Sequence, residues 1–172
     1  MRNVLLALLL LFCALAFGCS DTPAVAARRS IGKTADMLRV ADAGFKQNTK
    51  AALEAVAASH RATTLAELAK LGCAASTSQP ADASHACVVV AAEGHAKYLA
   101  ASRELAAAAA KVDASITAAY SAVLLAVVAV GELDVGISSI TTLSEAVARA
   151  VGLVGTAMQV YGDFKALVAA FK

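Results

Sequence analysis

The sequence predicts an all-α protein, an elongated antiparallel bundle of about three long Ala-rich helices with coiled-coil-like packing. Three observations carry that expectation. Hydrophobic residues make up 59% of the 172-residue chain, and many of them are Ala, which favours helix and supplies little side-chain volume. There are only two Pro residues, so long stretches run without a breaker. Apolar residues recur at alternating three- and four-residue spacing over long runs. The apolar content excludes a disordered chain, and a formal charge of +2 gives no reason to expect a nucleic-acid partner.

Three regions follow in order: a leader at residues 1–18, a tether or helix start at 19–33, and a bundle at 34–172. Met1 and Arg2 give a positive start, and residues 4–17 are an uninterrupted apolar run. The run is shorter than the roughly 20 residues of a membrane-spanning helix and reads as a secretory signal. It ends in Ala16-Phe17-Gly18-Cys19. A Cys after a small residue at this point resembles the lipobox of bacterial lipoproteins, with Ala16 where that family most often has Leu. The resemblance covers only residues 1 to about 20. It implies that Cys19 is acylated and becomes the first mature residue, so that membrane lipid is a partner of the chain. Ser20 after the Cys implies sorting to the outer membrane, facing the periplasm. An ordinary signal peptide or a retained anchor helix is the alternative reading of the same run.

An envelope location bears on the four Cys residues. Cys13 would be discarded with the leader and Cys19 would carry lipid, leaving Cys73 and Cys87 in an oxidising compartment where pairing is expected. The other reading is a metal site using Cys73, His85, Cys87 and His95, whose spacing matches no familiar zinc pattern; no metal or other cofactor is expected.

The first helix is expected at about 34–71, with Ile31, Leu38, Phe45 and Ala52 recurring seven apart. Gly72 resembles a C-cap and opens a turn-rich connector at 72–84. The second helix is expected at about 85–131. Its seam is Val88, Ala91, His95, Tyr98, Ser102, Leu105, Ala109, Val112, Ile116, Ala119, Val123, Ala126 and Val130. Residues 131–136, from Gly131 to Gly136, read as a tight reversal. The third helix is expected at about 137–171, with Ile140, Val147, Val151, Val154, Met158, Tyr161, Phe164 and Val168 on a wide stripe and Gly152 and Gly155 as close-contact points.

Charge is distributed unevenly. After Asp113 the ionisable acids and bases are only Glu132, Asp134, Glu145, Arg149, Asp163, Lys165 and Lys172, and residues 114–131 carry none. Val123, Leu124, Val127 and Val128 in this stretch are candidates to face a partner or a membrane. One reading buries the stretch in the bundle or beneath a partner, either a second copy or an envelope protein. The other pairs it with the following helix as a membrane-active hairpin over 114–161, similar in pattern to helical pore-forming proteins. There Arg149 would cost ~2.5–3.5 kcal/mol on insertion scales.

Few residues suggest chemistry. Residues 27–34 match a relaxed phosphate-loop string, but no strand precedes them, and nucleotide binding is not expected. Arg28, Arg29 and Lys33 near Cys19 are instead candidates to touch lipid headgroups. His60 and His85 each follow a Ser, yet adjacent helical side chains point about 100° apart and cannot form a nucleophile–base pair. No enzyme activity is expected. The sequence therefore points to a lipid-anchored envelope protein with a structural or protein-binding role.

Overall fold

The computed structural model describes residues 22–73 and 81–171, with side chains omitted at 81–84. The leader at 1–18, Cys19 and the connector residues 74–80 lie outside the described residues. Three helices make up the architecture: α1 (Pro23–Lys70), α2 (Ala81–Asp134) and α3 (Ile140–Ala170). No strand occurs among the described residues, and the helices pack on one another as an all-α bundle.

Each helix boundary has a local cause. Helix α1 begins at Pro23, well before the expected start near 34. Pro23 stands in the first turn, where a missing N–H costs nothing, and the Val25 N–H donates to the Thr22 hydroxyl at 3.4 Å. Residues 23–33, expected as a tether or helix start, are thus helix. At the other end the Cys73 N–H reaches the Leu68 carbonyl and the Gly72 N–H the Ala69 carbonyl, both at 3.0 Å, while Gly72 takes φ 72°. This is a Schellman cap, and the positive φ is what selects glycine. Helix α2 ends the same way: the Ile137 N–H donates to Glu132 at 2.9 Å and the Gly136 N–H to Leu133 at 3.1 Å, with φ 75° at Gly136. Gly131, expected to open the reversal, remains helical, because only Gly136 takes the left-handed conformation. Ser139 caps α3 by accepting the Thr142 N–H at 3.2 Å, so residues 137–139 belong to the turn and cap.

The chain divides into two units. The described part of unit 1 is residues 22–41 and 115–158, taking the start of α1, the end of α2 and the first part of α3. Its core is Ile31, Leu38 and Ala41 with Ile116, Ala119, Ala122, Val123, Ala126, Ala129, Val130, Leu143, Ala150, Val154 and Ala157. Thr34 is buried among them and donates to the Ser30 carbonyl at 2.8 Å. The Arg28 guanidinium pairs with the Asp134 carboxylate, joining the first turns of α1 to the last residue of α2.

Unit 2 holds residues 42–73, 81–114 and 159–171. Larger side chains fill its core: Phe45, Val56, Leu105, Val112, Tyr161 and Phe164, with Ala52 and Ala101 between them. Phe45 meets Phe164 edge-on at 5.4 Å and Tyr161 at 6.4 Å between ring centroids. The Asn48 amide donates to the Tyr161 hydroxyl at 2.6 Å, satisfying a phenol whose ring is buried. Thr64 faces Gly94 and His60 faces Tyr98, so α1 and α2 run in opposite directions here.

The α1 stripe has the expected register: Ile31, Leu38, Phe45 and Ala52 are all buried. On α2 the expected seam holds from Leu105 to Val130 but fails earlier. Val88, Ala91 and His95 are exposed, and Gly94 and Ala101 take the inward positions. The reason is a close helix crossing. A Cβ on Gly94 would lie 2.8 Å from the Thr64 methyl and closer still to its hydroxyl, so only glycine admits the Thr64 side chain. On α3 the buried line is Leu143, Ala150, Val154, Ala157, Tyr161 and Phe164, while Ile140, Val151 and Met158 are exposed. Gly152 and Gly155 are not close-contact points, since nothing lies within 4 Å of a Cβ at either. The tight glycines are Gly94 and Gly44; a Cβ on the latter would lie 2.8 Å from the Tyr161 hydroxyl.

Candidate functional site

The most unusual surface lies in unit 1, where α2 is apolar on all sides over residues 122–130. Its inner face uses mostly small residues, Ala119, Ala122, Ala126 and Ala129 with Ile116, Val123 and Val130. Its outer face uses large ones: Leu124 is 63% exposed, with Leu125, Val127 and Val128 exposed beside it. Tyr120, Leu124, Val127 and Val128 repeat at helical spacing on that outer side, so the helix carries a second apolar stripe opposite the first. The arrangement is the reverse of the usual one, in which the larger aliphatics go inside. It continues into the turn and α3 through Val135, Ile137, Ile140 and Val151, all exposed.

Of the four residues expected to face outward, Leu124, Val127 and Val128 do so. Val123 does not: at 7% exposure it is a core residue, because it falls on the line of Ile116, Ala119, Ala126 and Val130. Leu125, Val135 and Ile137 were missed. The signal for the last two was present, since aliphatic residues flanking Gly136 in a tight reversal have little to pack against. Helix α2 is the one helix among the described residues long and apolar enough to cross a membrane. The span is His85–Asp134, with mean hydropathy 2.0 in its most apolar window. That window is 39% buried, and core helices pass the same test.

The three basic residues expected near a membrane surface lie along the first turns of α1. Arg28 pairs with Asp134, with side-chain exposures of 57% and 37%, and Lys33 is exposed. An exposed pair of this kind contributes at most ~1 kcal/mol. The phosphate-loop string around them is continuous helix, so its backbone N–H groups are used within α1 and the Thr34 hydroxyl is bonded to Ser30.

Unit 2 contains two further candidates. Cys73 and Cys87 form a disulfide with Cα atoms 5.9 Å apart, tying the end of α1 to the first part of α2. Both sulfurs are thereby used, which removes them from any metal set. Tyr98 lies beside a shallow open groove of about 290 Å³, its ring 6.3 Å from both His60 and His95. No group of three or more His, Cys, Asp or Glu side chains is placed to hold a metal among the described residues. His95, expected on the seam, is on the groove rim because Gly94 took the inward place. The groove offers two imidazoles and a phenol on an open surface. The outer face of unit 1 offers a row of exposed aliphatics, Leu124, Leu125, Val127 and Val128, of the kind that favours association. No protein-family model matches the chain, and no curated protein or solved structure shows significant similarity to it.

Proposed function

We propose that this chain is a non-catalytic, lipid-anchored protein of the bacterial cell envelope, held to the outer membrane through Cys19 and binding a protein partner with unit 1. The observation that carries the binding role is the row Leu124, Leu125, Val127 and Val128 standing outward on a helix whose inner face is already filled. Large aliphatics on an uncharged face in water favour association, at about 25 cal/mol per Å² of apolar surface covered. The partner is a second copy or another envelope protein. The lipobox-like run ending at Cys19 supports the anchor, and a Cys73–Cys87 bridge suits an oxidising compartment.

Two measurements test this reading. Metabolic labelling with a fatty-acid analogue is expected to mark the native chain and not Cys19→Ser; an unlabelled native chain rejects the anchor. Sedimentation of Cys19→Ser protein, alone and with envelope extract, is expected to show a complex that Leu124→Gln with Val128→Gln abolishes. A complex indifferent to that pair of changes rejects the binding face.

A second reading is favoured by the apolar character of α2 on both sides: a membrane-active hairpin over residues 114–161. It requires dye leakage from liposomes that Val127→Asp eliminates. A bundle that leaves liposomes intact excludes it.

A further inference from the structure

The turn between α2 and α3 presents Val135, Ile137 and Ile140, which are 69%, 78% and 58% exposed. Turns exposed to water are ordinarily polar. The main chain of this one is hydrogen-bonded through the Gly136 cap and the Ser139 cap, while its aliphatic side chains stand outside the core.

The position of the turn indicates what covers it. The Arg28–Asp134 pair sets the end of α2 against the first turns of α1, and Val135 follows Asp134 directly. Arg28 lies roughly 8 Å along α1 from Pro23 at 1.5 Å per residue. Cys19 precedes Thr22 by three residues, a covalent reach of no more than about 11 Å. Cys19 therefore lies within roughly 22 Å of the Arg28 backbone, and the Arg28–Asp134 pair brings the turn to that same end of unit 1. Val25, in the first turn of α1, adds a further exposed aliphatic at the same end of unit 1.

We infer that Val135, Ile137 and Ile140, with Val25, seat in the headgroup–acyl boundary of the bilayer that holds Cys19, giving unit 1 a second contact with the lipid. This rests on the lipid-anchor reading above. The neighbouring charges set the depth. Lys33, exposed on the first turns of α1, suits phosphate groups, while Glu132 beside the turn must stay hydrated, so the contact is interfacial and not spanning. The pair of attachments, one covalent and one at the turn, fixes the orientation of unit 1 on the membrane.

The chain has no Trp, so a single introduced Trp reports its own surroundings. Full-length Ile137→Trp and Val40→Trp proteins carrying native Cys19 are reconstituted into phosphatidylethanolamine–phosphatidylglycerol vesicles and quenched with lipids brominated at graded depths. Val40 is 74% exposed in the same unit, and roughly 25 Å along α1 from Pro23. Ile137→Trp is expected to shift to the blue and to be quenched several-fold more than Val40→Trp, most strongly by shallow bromines. Equal quenching of the two variants in protein that floats with vesicles overturns the inference and leaves the anchor standing. Maximal quenching from the bilayer centre overturns it in favour of hairpin insertion. Protein whose mass shows an unmodified Cys19 and which does not float removes the anchor and this inference together.

Discussion

Units 1 and 2 are built from the same three helices and solve the packing problem in opposite ways. Unit 2 puts Phe45, Tyr161 and Phe164 inside and closes its helices tightly at Gly44 and Gly94. A disulfide ties two of those helices together. Unit 1 fills half of its core positions with Ala, has no aromatic ring inside, and turns Leu124, Leu125, Val127, Val128, Val135 and Ile137 toward water. A buried Ala removes little apolar area, so unit 1 gains less per helical turn from its own core. Unit 2 also exposes aliphatics, among them Leu65 and Val88, so the comparison teaches that the units differ in what fills the core and not in whether apolar surface is left over.

The contrast can be broken most forcefully in the aromatic cluster. Phe164→Ala is expected to cost ~3–5 kcal/mol in urea unfolding of the Cys19→Ser protein, since the side chain is 2% exposed and Phe45 loses its edge-on neighbour. A loss under 1 kcal/mol would show that unit 2 does not depend on this cluster.

Next in size is the bridge. Cys73 and Cys87 are 14 residues apart, and a loop of that length constrains the unfolded chain by ~3 kcal/mol. Cys73→Ser with Cys87→Ser is expected to lower stability by about that amount. It should also speed amide exchange in unit 2 near the end of α1 before any change in unit 1. Equal acceleration in both units would erase the distinction between them.

The glycines sharpen the comparison further because they predict opposite signs. Gly94→Ala drives a methyl into Thr64 and is expected to destabilise by ~1–3 kcal/mol, with partial recovery in Gly94→Ala plus Thr64→Ala. Gly152→Ala, on the open surface of unit 1, is expected to stabilise by ~0.5–1 kcal/mol through helix propensity alone. Thermal unfolding of the two variants side by side checks both signs.

Much of the fold was legible in the residues themselves. The helical state, the break at Gly72, a reversal that ends at Gly136 and the α1 stripe are local or nearly local properties: propensity, a positive φ that favours glycine, and a seven-residue repeat bordered by charge. The early start of α1 is also written there, in Thr22 as the cap and Pro23 as a first-turn residue. What only the tertiary structure decided is direction. Over residues 114–131 the three- and four-residue spacing already turns Ala119, Val123, Ala126 and Val130 inward, whereas at Val88, Ala91 and His95 the same spacing fails because the neighbouring helix selects Gly94. The same holds for Gly94 against Gly152. A glycine's role depends on whether another helix approaches it, and that approach is set by Thr64, thirty positions away in the chain and adjacent in space.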